Sequence, residues 1–229
     1  MKEETLTKNQ QASIKEKVGL KGVYRITRAK LETPEHFALN DRVTSLRNKM
    51  VAIDQEISQI PTYGFLSWFK KGKRLSLENE FNQTQSLFNH CVRELNNTCK
   101  TTVEIYENIV PTVGRAMIAN NLTNVSPTNV MRIKYAELGS GTNSPANGDT
   151  TLQTSSYRNL IASITNASNV AYATAFFNAT ETTGTYREAG IFCDGSASAG
   201  TGVLLSRVAI NVTKTSSETL TIDWALTIS

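Results

Sequence analysis

Apolar residues recur through the first half of the chain at Val43, Leu46, Met50, Ile53, Ile57 and Ile60, spaced 3, 4, 3, 4, 3. That is the a/d seam of a heptad, narrower than the apolar face of an ordinary surface helix, and it requires something packed along it. A second series, Leu77, Phe81, Thr84, Phe88, Cys91, Leu95, Thr98, Thr102, Ile105 and Ile109, alternates steps of 4 and 3 and predicts a helix of about seven turns or more. Its threonines make it a leaky stripe. The two stripes suit an antiparallel hairpin or a parallel bundle of several copies, and periodicity alone does not choose. If the stripes are seams between copies, Val43, Leu46, Met50, Ile53, Ile57, Ile60, Leu77, Phe81 and Phe88 are the oligomerisation residues.

Between the stripes lies IPTYGFLSWFKKGKR, where Pro61 and Gly64 break the first helix. Tyr63, Phe65, Trp68 and Phe69, followed by a basic cluster, form a candidate contact loop, an apolar tip with a basic collar. The alternative is a plain connection whose aromatics pack on the helices. Ahead of the helices GVYRITRAKL reads as a short extended segment, and Thr33 is placed to cap a helix with Pro34 at its first position. The charged N-terminal residues read as an arm, solvated or added as a strand to a neighbour.

The second half follows a different pattern. VMRIKYAEL, SSYRNLIASIT, NVAYATAFFNA, TYREAGIFC, GVLLSRVAI and TLTIDWALTI are short β-branched and aromatic runs, separated by turn-forming clusters such as GSGTNSPANGD and DGSASAGTG. In the last run Leu220, Ile222, Trp224, Leu226 and Ile228 alternate with Thr221, Asp223, Ala225 and Thr227, which predicts one buried and one wet face. Six such strands without helices between them favour an antiparallel sandwich.

Charge sharpens the division, with 17 basic and 13 acidic residues up to position 110 against 7 and 7 after it. The resulting fold class is α+β: long N-terminal helices, as a coiled-coil stalk or a helical hairpin, followed by an antiparallel β-sandwich. The segments are an N-terminal arm at 1–40, a helical region at 41–110 and a sandwich at 111–229. A net charge of +4 without a basic run argues against nucleic acid as a partner. No window approaches the roughly 18 apolar residues of a membrane span, and the N-terminus has no apolar signal core, so synthesis in a cytoplasm is expected. Cys91, Cys99 and Cys193 form no Cys-x-x-Cys pair and read as free thiols.

Catalytic parts are few. His36 and His90 are the two histidines and both fall in the helical half. There is no P-loop, no Gly-x-Gly-x-x-Gly and no His-Glu-x-x-His. Glu188 and Asp223 are the carboxylates that a glycosidase pair would use. Alternation puts Asp223 on the polar face of its strand, and Arg187 and Arg207 are ready ion partners for Glu188, so structural charges are the preferred reading. No catalytic residue, cofactor or metal site is assigned.

The order of features in the second half then carries a resemblance. I-x-Y-x-x-L-G-x-G from Ile133, P-x-x-x-D-T-x-L from Pro145, R-E-A-G-I-F from Arg187, L-L-S-R from Leu204 and K-T-x-x-x-x-L-T-I-x-W from Lys214 follow one another over about the last 120 residues. Together they resemble a module of tailed-bacteriophage virion structural or tail-fibre proteins. The resemblance implies a non-enzymatic β-sandwich module in a fibre, a fibre-attachment protein or another fitting of the virion, and carries no catalytic residue across. With the heptad seams it suggests a homo-oligomer, a trimer if the seams are parallel, that also contacts other virion proteins. A second reading makes the loops at 139–149 and 194–202 a module for host-surface glycans, and a third is an enzyme acting on cell-wall polymers.

Overall fold

The computed structural model describes residues 20–61, 65–123 and 131–228, with side chains described from residue 70 onward in the second helix. Strand β1 (Leu20–Lys30) leads into helix α1 (Pro34–Ser58), α2 (Phe65–Thr98) and β2 (Lys100–Asn108). Helix α3 (Thr112–Thr123) follows, then β3 (Ile133–Gly139), β4 (Ser155–Leu160), β5 (Ser163–Ala167), β6 (Val170–Phe177), β7 (Gly184–Cys193), β8 (Val203–Lys214) and β9 (Glu218–Ile228). The strands form two antiparallel sheets, ordered β2-β1-β9-β6-β5 and β4-β3-β7-β8.

The two sheets share one core. Tyr24, Ile26, Ala173, Ala175, Phe177, Ile222 and Trp224 of the five-stranded sheet meet Ala136, Leu138, Ala189, Ile191, Leu205 and Val212 of the four-stranded one. The alternation read in β9 is the cause, since Leu220, Ile222, Trp224 and Leu226 all point inward and are at most 4% exposed. Ser206 is the polar pin between layers. Its hydroxyl accepts from Trp224 Nε1 at 3.2 Å and from Tyr24 Oη at 3.1 Å, so two large buried rings keep their hydrogen bonds.

The chain is α+β, but the expected arrangement of long N-terminal helices ahead of a separate sandwich is overturned. Helices α1 and α2 are flanked by β1 and β2, which pair with one another from Gly22↔Asn108 to Lys30↔Lys100 inside the five-stranded sheet. The helices are therefore an insertion between neighbouring strands, not a stalk. They run antiparallel, since ion pairs join Lys49 to Glu80 and Glu56 to Lys73, and they roof the outer face of the five-stranded sheet. Phe88 of α2 meets Phe176 of β6 edge to face at 6.0 Å, and Gln85 and Asn89 donate to Ala162 O and Ser163 Oγ.

Two further expectations change. The second stripe does not continue as helix to Ile109, because α2 ends at Thr98 and the last three stripe positions lie in or just after β2. The run Thr101-Thr102-Val103 is β-branched and fits a pleated strand better than a helix. SSYRNLIASIT is two strands, β4 and β5, because the chain crosses from one sheet to the other at Ile161 and Ala162. As read, Thr33 caps α1, accepting from His36 N at 3.3 Å, with Pro34 in the first turn.

Candidate functional site

Four charged residues of the sequence motifs, Glu137, Asp149, Glu188 and Arg207, gather on or over the outer face of the four-stranded sheet. In β7, Ala189 and Ile191 enter the core, so Glu188 and Gly190 face outward. Glu188 is nevertheless 1% exposed because the 140–154 segment lies over it. Its Oε1 accepts from Gly141 N at 3.0 Å and Thr154 N at 2.8 Å, and its Oε2 from Gln153 N at 3.0 Å. Arg207 of β8 adds Nε at 3.0 Å and Nη2 at 2.7 Å. The same guanidinium bonds Asp149 Oδ2 at 2.5 Å and Asn143 O at 3.2 Å. Burial pushes the Asp149 carboxyl up, but the Ala146 amide and Arg207 outweigh it and hold it below the usual aspartate range. A Cβ on Gly141 would sit 2.3 Å from Glu188 Oε1, which explains glycine at this close approach.

A second buried pair closes the neighbouring loop. Arg158 of β4 donates from Nη1 to Glu137 Oε2 of β3 at 2.6 Å and from Nη2 to Thr201 O at 2.7 Å. Its guanidinium lies 4.5 Å from the ring centres of both Tyr135 and Phe192, a planar cation between two aromatic faces. Gly200 N also reaches Glu137 Oε2 at 3.3 Å. The turn expected at Asp194 and Gly195 is present with φ of 57° and 79°, and a Cβ on Gly195 would come within 2.7 Å of the Thr201 backbone. Both loops named as glycan contacts are thus tied to the sheet from beneath.

A third set was not visible in the sequence. The buried stripe of α1 includes Asn40, Arg47 and Asp54, each seven residues from the next, interleaved with Val43, Met50 and Ile57. Asn40 Oδ1 accepts from Ala179 N at 3.2 Å. Arg47 forms a two-pronged ion pair with Glu181 and also donates to Phe176 O at 3.3 Å. Asp54 accepts from Arg132 Nη2 at 2.6 Å and faces Lys134 at 3.6 Å. Burial raises and Arg47 lowers the Glu181 carboxyl, and the net effect is to hold it below its ordinary range. This polar row docks α1 on the sandwich and borders a cleft of about 600 Å³ between α1, β3 and β4, in which every charged lining group is already paired.

The expected seam residues are engaged within the chain. Val43, Met50 and Phe88 are fully buried, Ile53, Ile57 and Ile60 are nearly so, and Leu46 and Phe81 pack partly buried against the same cluster. Leu77 is half-buried. Their apolar surface is covered within one chain, by the antiparallel pair and the sheet beneath it, which is the hairpin alternative to a parallel bundle. Tyr63 lies outside the described residues, as do the side chains of Phe65, Trp68 and Phe69, which fall in the first turns of α2.

The two carboxylates considered for glycoside hydrolysis are not brought together. Glu188 is on the outer face of one sheet and Asp223 on the outer face of the other, with the core and the roughly 10 Å between stacked sheets separating them. Retaining and inverting pairs need their carboxyls about 5 to 9.5 Å apart on one substrate. Asp223 accepts from Thr174 Oγ1 at 2.8 Å, and burial raises its carboxyl despite that bond and the nearby Arg25. His90 is on the surface of α2, and His36 joins the α1 cap by accepting from Glu32 N at 3.2 Å. The three cysteines are free and buried, and burial pushes Cys193 up to about 12. Among the described residues no group of three or more His, Cys, Asp or Glu side chains converges to hold a metal, and no described helix is long and apolar enough to cross a membrane.

The geometry defines a two-sheet α+β protein with a helical pair inserted at one sheet and loops closed by buried ion pairs at the other. Comparison with models of known protein families, with curated proteins and with solved structures finds no match to this chain in any of the three.

Proposed function

We propose that the protein is a non-enzymatic structural component of a tailed-bacteriophage particle, a fibre or a fibre-attachment or adaptor piece of the tail, collar or neck. The observation that carries this reading is the fate of the motif residues. Gly141, Asp149, Glu188 and Arg207, drawn from four of the five motifs of the resemblance, meet in one saturated network, and Ser206 with Trp224 of the fifth pins the two sheets together. A motif set of that kind specifies a scaffold that presents fixed surface loops. A carboxylate with five donors on it has no lone pair left for a substrate proton. Neighbouring virion proteins are its partners in this reading. The homo-oligomer expected from the heptad seams has lost that basis, since the seam side chains are covered within one chain.

Mass spectrometry and antibody labelling of purified particles test the proposal. Stoichiometric protein in the particle, with label on the tail, collar or neck, is the expected result. Its absence from particles made by a phage that expresses it overturns the reading, as does release of soluble sugar or peptide from host envelopes by the purified chain.

A further inference from the structure

The helical roof does not seal the five-stranded sheet. Strand register sets outward side chains in rows across β2, β1, β9 and β6: Val103, Thr27, Thr221 and Phe176 in one, and Ile105, Arg25, Asp223 and Thr174 in the next. Helix α2 covers the Phe176 end, and a cleft of about 540 Å³ opens between the helix and these rows, within the range of small-ligand sites. Its walls are polar on both sides, with Asn89, Asn96, Asn97 and Arg93 from the helix facing hydroxyls from the sheet.

Several of these groups are unused. Thr221 is 1% exposed, lines the cleft, and its Oγ1 has no hydrogen-bond partner in the protein. Asn96 Oδ1 across the cleft is likewise buried and unpartnered. A buried hydroxyl or amide without a partner is costly, and here two of them belong to residues that line one cleft. Asp223 is engaged through Oδ1 by Thr174, while Arg25 beside it makes no hydrogen bond or ion pair with the described residues.

We propose that this cleft binds a neutral polyhydroxylated ligand, a saccharide of one or two rings. The charges select it. Arg25 and Arg93 oppose a cation and the half-buried Asp223 beside Arg25 opposes an anion, whereas vicinal hydroxyls donate to Asp223 and accept from Arg25 at once. Hydroxyl and amide groups around them complete the bonds. An extended peptide fits less well, because the floor is a row of side chains on a sheet face and offers no free backbone ladder. The proposal does not depend on where the protein sits in a particle.

Amide and side-chain NMR of the full chain, titrated separately with glucose, galactose, mannose and N-acetylglucosamine, is the test. Saturating shifts at Asn96, Asn97, Thr165 and Thr221 with at least one sugar are expected. Asp223→Asn and Arg25→Met should each weaken that sugar about tenfold, the effect of losing a charged hydrogen bond. Thr165→Trp, at an exposed position on the rim, should block it without disturbing the core. Absence of saturable shifts with all four sugars overturns the proposal. So do shifts that survive all three substitutions, and so does saturation of the cleft by a Gly-Ser-Gly-Ser peptide control in place of the sugars.

Discussion

The outer faces of the two sheets meet the same problem in opposite ways. Each carries charged and hydroxylic side chains that are covered by other parts of the chain. On the four-stranded sheet, the covering loops bring backbone N–H groups to the carboxylates, and Glu188 ends with five donors. On the five-stranded sheet, the cover is a helix whose own backbone donors are already bonded within it, so only side chains can answer Thr221 and Asp223. A loop can close a polar face because its amides are free. A helix can only roof one, and what it leaves open is a cleft.

The largest test of that contrast is removal of the Glu188 carboxylate. Glu188→Ala leaves a buried guanidinium and three amides without their acceptor, and is expected to lower unfolding free energy by about 3 to 5 kcal/mol, read from denaturant midpoints. By comparison Asp223→Ala should shift the midpoint little, since a partly screened carboxylate with one bond is lost. Equal losses at the two sites would remove the distinction between the faces.

The helical roof supplies the next test. Phe88→Ala opens a cavity against Phe176 and should cost about 3 kcal/mol with no change in solution mass by light scattering. A change in mass would mean that the stripe joins separate chains. Arg158→Met should be destabilising by about 3 kcal/mol because Glu137 stays buried and unpaired, and Glu137→Leu added to it should recover most of that loss.

A smaller effect concerns pH. Lys214 is buried and donates to Ala179 O and Glu181 O at 3.0 and 2.9 Å, and burial lowers it to about 8 despite Glu181 and Glu218. The unfolded lysine, near 10.4, holds its proton longer, so between about pH 8 and 10.4 the unfolded state binds more protons and stability rises with pH from this group. Relative to Lys214→Met, the wild type should therefore gain stability from roughly pH 7 to roughly pH 9.5 in paired denaturation curves. The smallest effect is chemical: Cys193, raised by burial, should stay unlabelled by thiol reagents until the chain unfolds.

Much of the strand content was legible because short β-branched and aromatic runs lie between turn-forming clusters, and in β9 alternation marks the inward residues Leu220, Ile222, Trp224 and Leu226. The placement of the helices was not. Heptad spacing identifies a stripe but not its partner, and GVYRITRAKL gave no sign that a distant segment would pair with it through Lys100 to Asn108. The polar row of α1 was hidden for a simpler reason: Asn40, Arg47 and Asp54 look like solvent-facing residues until Ala179, Glu181 and Arg132 are placed opposite them. Their seven-residue interval, in phase with Val43, Met50 and Ile57, was the available signal. Glu188 was legible as a structural charge through Arg207, although its three amide donors depend on a loop path that residue spacing does not describe.

Amide hydrogen exchange at Gly141, Gln153 and Thr154 reports whether Glu188 closes the loop over the four-stranded sheet. Closure of the loop by Glu188 predicts strong protection at all three in the wild type and its joint loss in Glu188→Ala, while amides of the β1 and β9 pair stay protected. Free exchange at these three positions in the wild type would contradict it.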